Sequence, residues 1–547
     1  MNRFNCREIP LCAACGNIAS DETPPLVKSD HAACFRTLFQ LALLLALPCA
    51  GGAQTKIILP DLPCGAVEGE AVLFAFDSTA FPFQSRVQTR LIPGRFHSVV
   101  LPHGPPGAPD EFVRFYGTVI RIEGVFHMWY FGNYGPEPAI IGYGQGSHPG
   151  KAFCYARSTD GIHWEKPNLG LVEFNGSKSN NLVLFPEPAP RPAAAVLYDP
   201  EDPRPERRFK LAYEADNQGT ARLCVAFSPD GLRWTLSALN PVGPFFEMAG
   251  IAKVRGKYYI NGQDATRAHK AFASRQLATF VSADFEHWSP CAAVGLDRSN
   301  DLNGPSIEHE WNIREEVHLG AALWNRGSVL LGIYGQWHGN PVGDRRYTSI
   351  DLGLTVTHDA IHHREPIPGF KLIPAREQPG SPAADMPALM QGQGFENVGD
   401  KTYYWYSLWK GNEGTGVRLA TWDRDRLGML KPIYPSGVSG NPTAANYCQA
   451  VSCAVKVSAG GKARMYVNAS GLGTHSRLRI TLLDATFQPV TGYTAVIATD
   501  ALRAPVNWEN RELFGASLGE CYVRVGFEGV RPEDANFHAL YLEPVAP

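Results

Sequence analysis

Apolar and polar positions alternate in short runs along most of this chain, and the runs come in sets. Residues 117–122 (Gly-Thr-Val-Ile-Arg-Ile) and 126–131 (Phe-His-Met-Trp-Tyr-Phe) are β-branched and aromatic, and Glu123-Gly124 between them makes a hairpin turn. Residues 154–158 add a third strand. The same arrangement returns at 209–213 with 223–227, at 257–260 with 278–281, at 329–334 with 352–356, and at 402–406 with 417–420. These runs favour a pleated surface and are bounded by Gly, Asp or Pro. No stretch has the periodicity of a long amphipathic helix. Beyond Pro442 the pattern changes. Leu478, Ile480 and Leu482 alternate with Arg477, Arg479 and Thr481, and Val523, Val525 and Phe527 alternate with Tyr522, Arg524 and Glu528. Strict alternation of this kind predicts strands with one face in water. About six such strands over roughly 100 residues predict a β-sandwich.

Each strand set leads into one short phrase: Ser158-Thr159-Asp160-Gly161-Ile162-His163-Trp164, then Ser228-Pro229-Asp230-Gly231-Leu232-Arg233-Trp234. Degenerate copies are Ser282-Ala283-Asp284-Phe285-Glu286-His287-Trp288 and Thr357-His358-Asp359-Ala360-Ile361-His362-His363, with a worn fifth at Thr421-Trp422-Asp423-Arg424-Asp425. The Asp residues lie roughly 54 to 75 positions apart. A repeat of this length with strands inside each unit predicts an all-β chain: a five-bladed β-propeller over about 75–440, followed by a C-terminal β-sandwich over 445–547. In the phrase itself, Asp and Gly suit the turn and Trp suits packing between blades, so it marks architecture rather than chemistry.

A chain of 547 residues is long enough for more than one domain. The net charge of −3 carries no basic field for nucleic acid. Arg36, the apolar run 38–47 and the small residues 49–53 have the order of a secretory signal, with cleavage after Ala53. Residues 1–53 are therefore read as a signal region, with translation starting downstream of Met1, near Val27. The apolar run is too short to span a bilayer, and no membrane span is expected in the mature chain, which would be secreted or periplasmic. Of 12 cysteines, Cys64, Cys154, Cys224, Cys291, Cys448, Cys453 and Cys521 remain after cleavage. They are scattered, with neither a disulfide framework nor metal-ligand spacing, so no metal and no cofactor is expected.

Residues 126–132, the stretch Ala156-Arg157-Ser158 through Lys166-Pro167, and Asn181-Leu182-Val183 resemble the five-bladed propellers of the glycoside hydrolase family 32 and 43 superfamily. The nearest resemblance is to uncharacterised secreted bacterial family-32-like proteins, and it covers about 90–547. It implies a glycosidase fold with a carbohydrate substrate. The Trp-Met-Asn-Asp-Pro, Arg-Asp-Pro and Glu-Cys motifs of true family 32 enzymes are not intact here, and Tyr198-Asp199-Pro200 reads as a surface turn.

Glycoside hydrolysis needs two carboxyl groups about the scissile bond. In a propeller these come from the innermost strands. Asp110 and Glu111 precede the first strand of the first blade, where the resembled families place a base or nucleophile. Glu247, between Phe246 and Met248, is a setting in which loss of water favours a protonated acid. Glu316 and His318 open the fourth set on one alternating face, and Trp337 and His338 end the next strand, where an indole can stack on a sugar. Asp351 interrupts an apolar run, facing the axis or pairing with Arg345 or Arg346. Gln393, Glu396 and Asn397 lie in a Gly- and amide-rich stretch suited to a polar ligand.

The resulting candidate set has Asp110, Glu247, Glu316 and Glu396 as catalytic carboxyls, with Asp110 as base or nucleophile and Glu247 as acid. Glu111, His318, Trp337, His338, Asp351, Gln393 and Asn397 are substrate contacts. The alternatives are a non-catalytic carbohydrate-binding protein on the same fold and a propeller scaffold for protein partners.

Overall fold

The computed structural model describes residues 54–546 apart from 136–149, 188–189, 191–192, 218–219, 265–274, 299–314, 341–346, 376–387, 411–415, 434–447 and 510. The signal region lies outside the described residues. So do Arg345 and Arg346 and the proposed cleavage site. The described chain is all-β; its helical content is single 3-10 turns such as Pro205–Arg207.

Five antiparallel meanders follow one another. The first runs Phe112–Ile122, Val125–Tyr134, Gly150–Ser158. The second is Ala194–Tyr198, Phe209–Asn217, Thr220–Ser228, Thr235–Leu236, and the third is Phe246–Val254, Lys257–Asp264, Leu277–Ser282, Ala293–Leu296. The fourth is Glu315–Asn325, Leu330–His338, Ser349–Thr357. The fifth, Ala388–Val398, Lys401–Lys410, Gly416–Asp423, takes its outer strand from far upstream, Arg95–Pro102.

The five first strands neighbour one another in a closed cycle, the last returning to the first. One level of that cycle is pinned by specific bonds. Gln393 pairs in parallel register with Thr118. Thr118 Oγ1 accepts from Val196 N at 3.0 Å. Gln393 bonds both main-chain groups of Ile251, and Asn261 Oδ1 accepts from Ala321 N at 2.7 Å. Each of these amides and the hydroxyl thus satisfies main chain that a curved, closed arrangement would leave unpaired.

The Asp phrase builds the joints between meanders. In its first four copies the Ser or Thr hydroxyl and the Asp carboxylate cap the turn, and Asp Oδ1 accepts two successive backbone N–H groups. Gly161 and Gly231 adopt φ of 76° and 74°, which favours glycine. Their carbonyls each accept two indoles: Gly161 O from Trp164 and from Trp405 of the fifth meander, Gly231 O from Trp234 and from Trp129 of the first. The fifth copy differs. Asp423 pairs with Lys401, while Asp425 is buried against Arg326, Asn397 and Tyr541.

Two further sheets share one apolar core. One runs Ala501–Pro505, Lys462–Ser470, Asn536–Val545, Gly428–Pro432, Val87–Leu91. The other runs Pro489–Ile497, Arg477–Asp484, Cys521–Glu528, Gln449–Val451, Phe83–Ser85. Val467, Leu540 and Leu542 of the first meet Ile480, Leu482, Val523 and Val525 of the second. The strands Ala71–Phe74, Phe83–Ser85 and Val87–Leu91 pair within these sheets, so the N-terminal segment crosses them before it enters the meanders. The domain boundary expected near residue 75 therefore falls inside the shared sheets. The seven cysteines of the described chain are free thiols, all buried but Cys291.

Candidate functional site

The first strands of the first and fifth meanders pair in parallel, so their N-terminal ends lie on one side of the pinned level. Gly250 lies against the Ala321 carbonyl and Asn325 Nδ2 reaches the Lys253 carbonyl, so these two strands run the same way. At the N-terminal end the rings of Tyr116 and His318, from the first and fourth meanders, lie 6.3 Å apart. Four of the five strands break register here: between Arg114 and Thr118, Met248 and Gly250, His318 and Ala321, and Gln391 and Phe395. At the third of these breaks Leu319 holds φ of 61°. A bulge re-aims side chains, and bulges gather beside active sites. A bulky residue at positive φ is strain held by its surroundings.

Asp110 is buried at the entry to the first strand. Its Oδ2 accepts from the Tyr130 hydroxyl at 2.7 Å and meets Lys166 Nζ at 2.5 Å. Asn181 Nδ2 donates to that hydroxyl at 2.7 Å and to Tyr155 O at 2.8 Å. A Cβ at Gly104 would sit 2.2 Å from Asp110 Oδ1, and one at Gly132 would sit 2.4 Å from Pro109 O, so two glycines let the main chain close around this carboxylate. Burial, with Cys154 and Asp110 nearby, pushes the Tyr130 phenol well above its usual range. It stays a donor to Asp110. Glu111 does not share this setting; its Oε2 takes the Gly107 N–H of the preceding loop at 3.4 Å.

Glu247 is half-buried, and its Oε2 accepts from Gln263 Nε2 at 3.0 Å across the strand pair. Glu316 is fully buried and lies 3.5 Å from Arg275 Nε. The Arg275 guanidinium sits 4.2 Å over the Trp337 ring, and Trp337 stacks on His318 at 5.8 Å. Glu316, His318 and Trp337 thus form one cluster with Arg275 and Tyr116. Beside it runs a charged chain. His338 Nδ1 faces Glu315 at 2.8 Å and its Nε2 faces Asp351 at 2.8 Å, while Lys371 Nζ meets Asp351 at 2.6 Å. Burial works against charge on His338, but its bonds to Asp351 and Glu315 outweigh it and hold the imidazole above its usual range. Asp351 therefore pairs with His338 and Lys371.

The remaining candidates lie elsewhere. Gln393 spends its amide on Ile251, joining two first strands. Glu396 and Asn397 are at the opposite, C-terminal end of their strand. There Asn397 bonds Asp425 at 2.9 Å and Thr402 at 2.7 Å. Burial raises the Glu396 carboxyl, against Asn397 N–H and the arginines Arg121, Arg326 and Arg424. Sequence reasoning missed Arg114, Tyr116, Tyr130, Lys166 and Arg275. Arg114, whose guanidinium burial makes less basic, sits in the first strand between Asp110 and the bulge. A charged residue two places from an aromatic in an apolar run was its only signal. Among the described residues no group of His, Cys, Asp and Glu is arranged to hold a metal ion, and no helix is long and apolar enough to cross a membrane.

No family model matches the chain. An uncharacterised protein of Mycobacterium tuberculosis, Rv1502, is 30% identical over 126 residues, which is 23% of this chain and 34% of that protein. The match thus spans about a third of that relative's length. Among solved structures, the chain is similar to a member of the GH130 family, described as mannoside phosphorylases containing glycoside hydrolases that target β-1,2 mannosidic linkages in Candida mannan. Identity is 16%, coverage 62% of this chain and 97% of that one, and the TM-score 0.38. It is also similar to a thermostable family-43 glycoside hydrolase at 14% identity, covering 63% and 96% with a TM-score of 0.36. A third is the GH32 β-fructofuranosidase of Bombyx mori, at 14% identity, covering 83% and 94% with a TM-score of 0.34. Of these three structures, two carry the family numbers 43 and 32 and one the number 130.

Proposed function

We propose that this chain is an exported glycoside hydrolase acting on an oligo- or polysaccharide. The five meanders are read as blades of a propeller and the two shared sheets as a β-sandwich. What supports the reading is the cluster of Glu316, His318 and Trp337 with Arg275 and Tyr116, together with the places of Asp110 and Glu247 just before and at the starts of two other first strands. Carboxyls, aromatic faces and cations around four register breaks are what sugar binding and acid–base cleavage require. In this reading Glu247, the most accessible of the three carboxyls, is the acid, and Asp110, held by Lys166 and Tyr130, is the base or nucleophile.

The test is reducing-sugar release across a broad panel of plant, algal and bacterial glycans. Release should fall by about a hundredfold or more in Glu247→Gln and in Asp110→Asn, with glycan binding retained. Release that survives both changes discards the pair. A second reading, a carbohydrate-binding protein without turnover, is favoured by one observation: Asp110 and Glu316 are both buried beside cations. Binding to a glycan with no release from any would establish it.

A further inference from the structure

We infer that the outer face of the sheet Pro489–Ile497, Arg477–Asp484, Cys521–Glu528, Gln449–Val451, Phe83–Ser85 is a second carbohydrate site, one that takes a glycan bearing carboxylates, such as a chain of uronic acid residues. It is separate from the cluster at the first strands and does not depend on hydrolysis.

Three aromatic rings stand together on this face. Phe487 stacks on Tyr522 at 4.3 Å and 25°, and Phe83 meets Phe487 edge-on at 5.4 Å. Phe83 is 49% exposed and Phe487 44%. The position of Phe487 is costly. It sits in the hairpin turn after Arg477–Asp484, where Phe487 N bonds Asp484 O at 2.9 Å and Asp484 Oδ1 caps Thr486 N and Gln488 N. Its φ is 61°, a conformation that glycine adopts freely and a bulky side chain does not. A large apolar ring held at a strained position and turned to water contributes little to the fold. It makes sense as a stacking surface, and outliers of this kind cluster at ligand sites.

Register places the polar partners. Val451 pairs with both Phe83 and Arg524, so these three residues lie in one row on one face. Tyr522 stands two residues before Arg524, hence on the same side. The next row is Ser85, Gln449, Gly526 and Arg479. A Cβ at Gly526 would meet nothing nearer than 3.7 Å, so no packing demands glycine there, and its bare main chain leaves a shallow step between Gln449 and Arg479. A glycine within a strand often marks a bulge, a bend or the close approach of a ligand or of main chain, and the register is unbroken at Gly526. The other charges nearby are matched: Lys456 with Glu520, Arg477 and Arg479 with Glu528, Asp61 with the Ala454 N–H, and Asp484 within its turn. Arg524 has no ion pair among the described residues. The face therefore offers a hydrophobic platform beside one uncompensated guanidinium, which suits a pyranose ring carrying an acidic group.

The experiment is affinity electrophoresis of the full chain through gels containing polygalacturonate, alginate, amylose or polyglutamate. Retardation by at least one uronate polymer, absent with amylose and polyglutamate, is expected. Phe487→Gly, which relieves the strain, and Arg524→Gln should each weaken it by about tenfold. Phe83→Ser, on a different strand, guards against a folding defect in the first. Glu247→Gln should leave retardation intact, which separates this site from the proposed catalytic one. No retardation by either uronate polymer, equal retardation by amylose or by polyglutamate, or retardation unchanged in Phe487→Gly and Arg524→Gln would overturn the proposal. So would self-association of the native chain that Phe487→Gly abolishes.

Discussion

His358 has both ring nitrogens on acceptors: Nδ1 on the Ser328 carbonyl at 2.8 Å and Nε2 on Asp77 at 2.7 Å. Burial, the largest single influence, opposes its charge, but the bonds to Asp77, Cys64 and the Ser328 carbonyl and the charge of Asp77 together outweigh it and push the imidazole up to about 10. A group whose pKa is higher folded than unfolded contributes its stability below the unfolded value, near 6.5, and loses it as pH rises through the folded one. The contribution should therefore be full at pH 6 and mostly gone by pH 10. Arg364 also bonds Asp77, so removing the imidazole leaves that carboxylate partly covered. His358→Gln should lower stability at pH 6 by about 2 kcal/mol and by much less at pH 10. Urea denaturation of both proteins at the two pH values checks this, and the difference between them removes the titration of every other histidine. Equal losses at both pH values would contradict a charged His358. None of this was legible in the sequence, because Asp77 and His358 are 281 positions apart. The same distance problem hid Lys166 and Tyr130 around Asp110. By contrast, the proximity of Glu316, His318 and Trp337 was legible, because alternation places them at the ends of adjacent paired strands.

Strands and turns repeat the point on a larger scale. The hairpins of the meanders were readable because each carries β-branched and aromatic runs closed by a turn signal. The Asp phrase was read as a joint, and the indole bonds to the Gly161 and Gly231 carbonyls show how it is made. The register breaks were not readable, since a bulge changes which face a side chain takes without changing composition. That is why Gln393 looked like a ligand contact and is a brace. The joint allows a matched comparison. Gly231 and Gly256 have nearly the same φ, 74° and 73°, but a Cβ at Gly231 would sit 2.6 Å from the Trp129 ring, whereas one at Gly256 meets nothing within 4 Å. Gly256→Ala should cost about 1 kcal/mol, the price of the backbone alone. Gly231→Ala should cost about 2 kcal/mol more, because the ring must move and its bond to the Gly231 carbonyl is disturbed. Urea midpoints for the two variants decide it; equal losses would show that Trp129 yields freely and that the joint is soft.

Whole-molecule cooperativity follows from how the N-terminal segment is woven. Ile57–Leu59 pairs with Lys456–Val457, Ala71–Phe74 with Asn536–Val545, and Val87–Leu91 with Gly428–Pro432, before Arg95–Pro102 completes the fifth meander. Strands of three to five residues carry too little alternation to announce such pairing, so sequence alone put the boundary near 75. One apolar cluster joins Phe74, Phe76, Ala539 and Tyr541 of this weave to Leu331, Leu352 and Tyr404 of the meanders. Asp425, held by Arg326 and Asn397 of the meanders, also accepts the Tyr541 hydroxyl at 2.9 Å, a hydrogen bond across the same contact. Unfolding either part exposes this apolar surface and takes a hydrogen-bond partner from the buried Asp425, so neither part should persist alone. Calorimetry of the full chain should show one transition, and a chain ending at Ile433 should fail to accumulate as folded protein. That truncation deletes Ala539 and Tyr541 and strips downstream partners from three N-terminal strands, Ile57–Leu59, Ala71–Phe74 and Phe83–Ser85, while leaving every meander strand in place. Two separate heat-absorption peaks, or a truncated chain that melts cooperatively, would mean that the meanders are self-sufficient and that the weave is only an attachment.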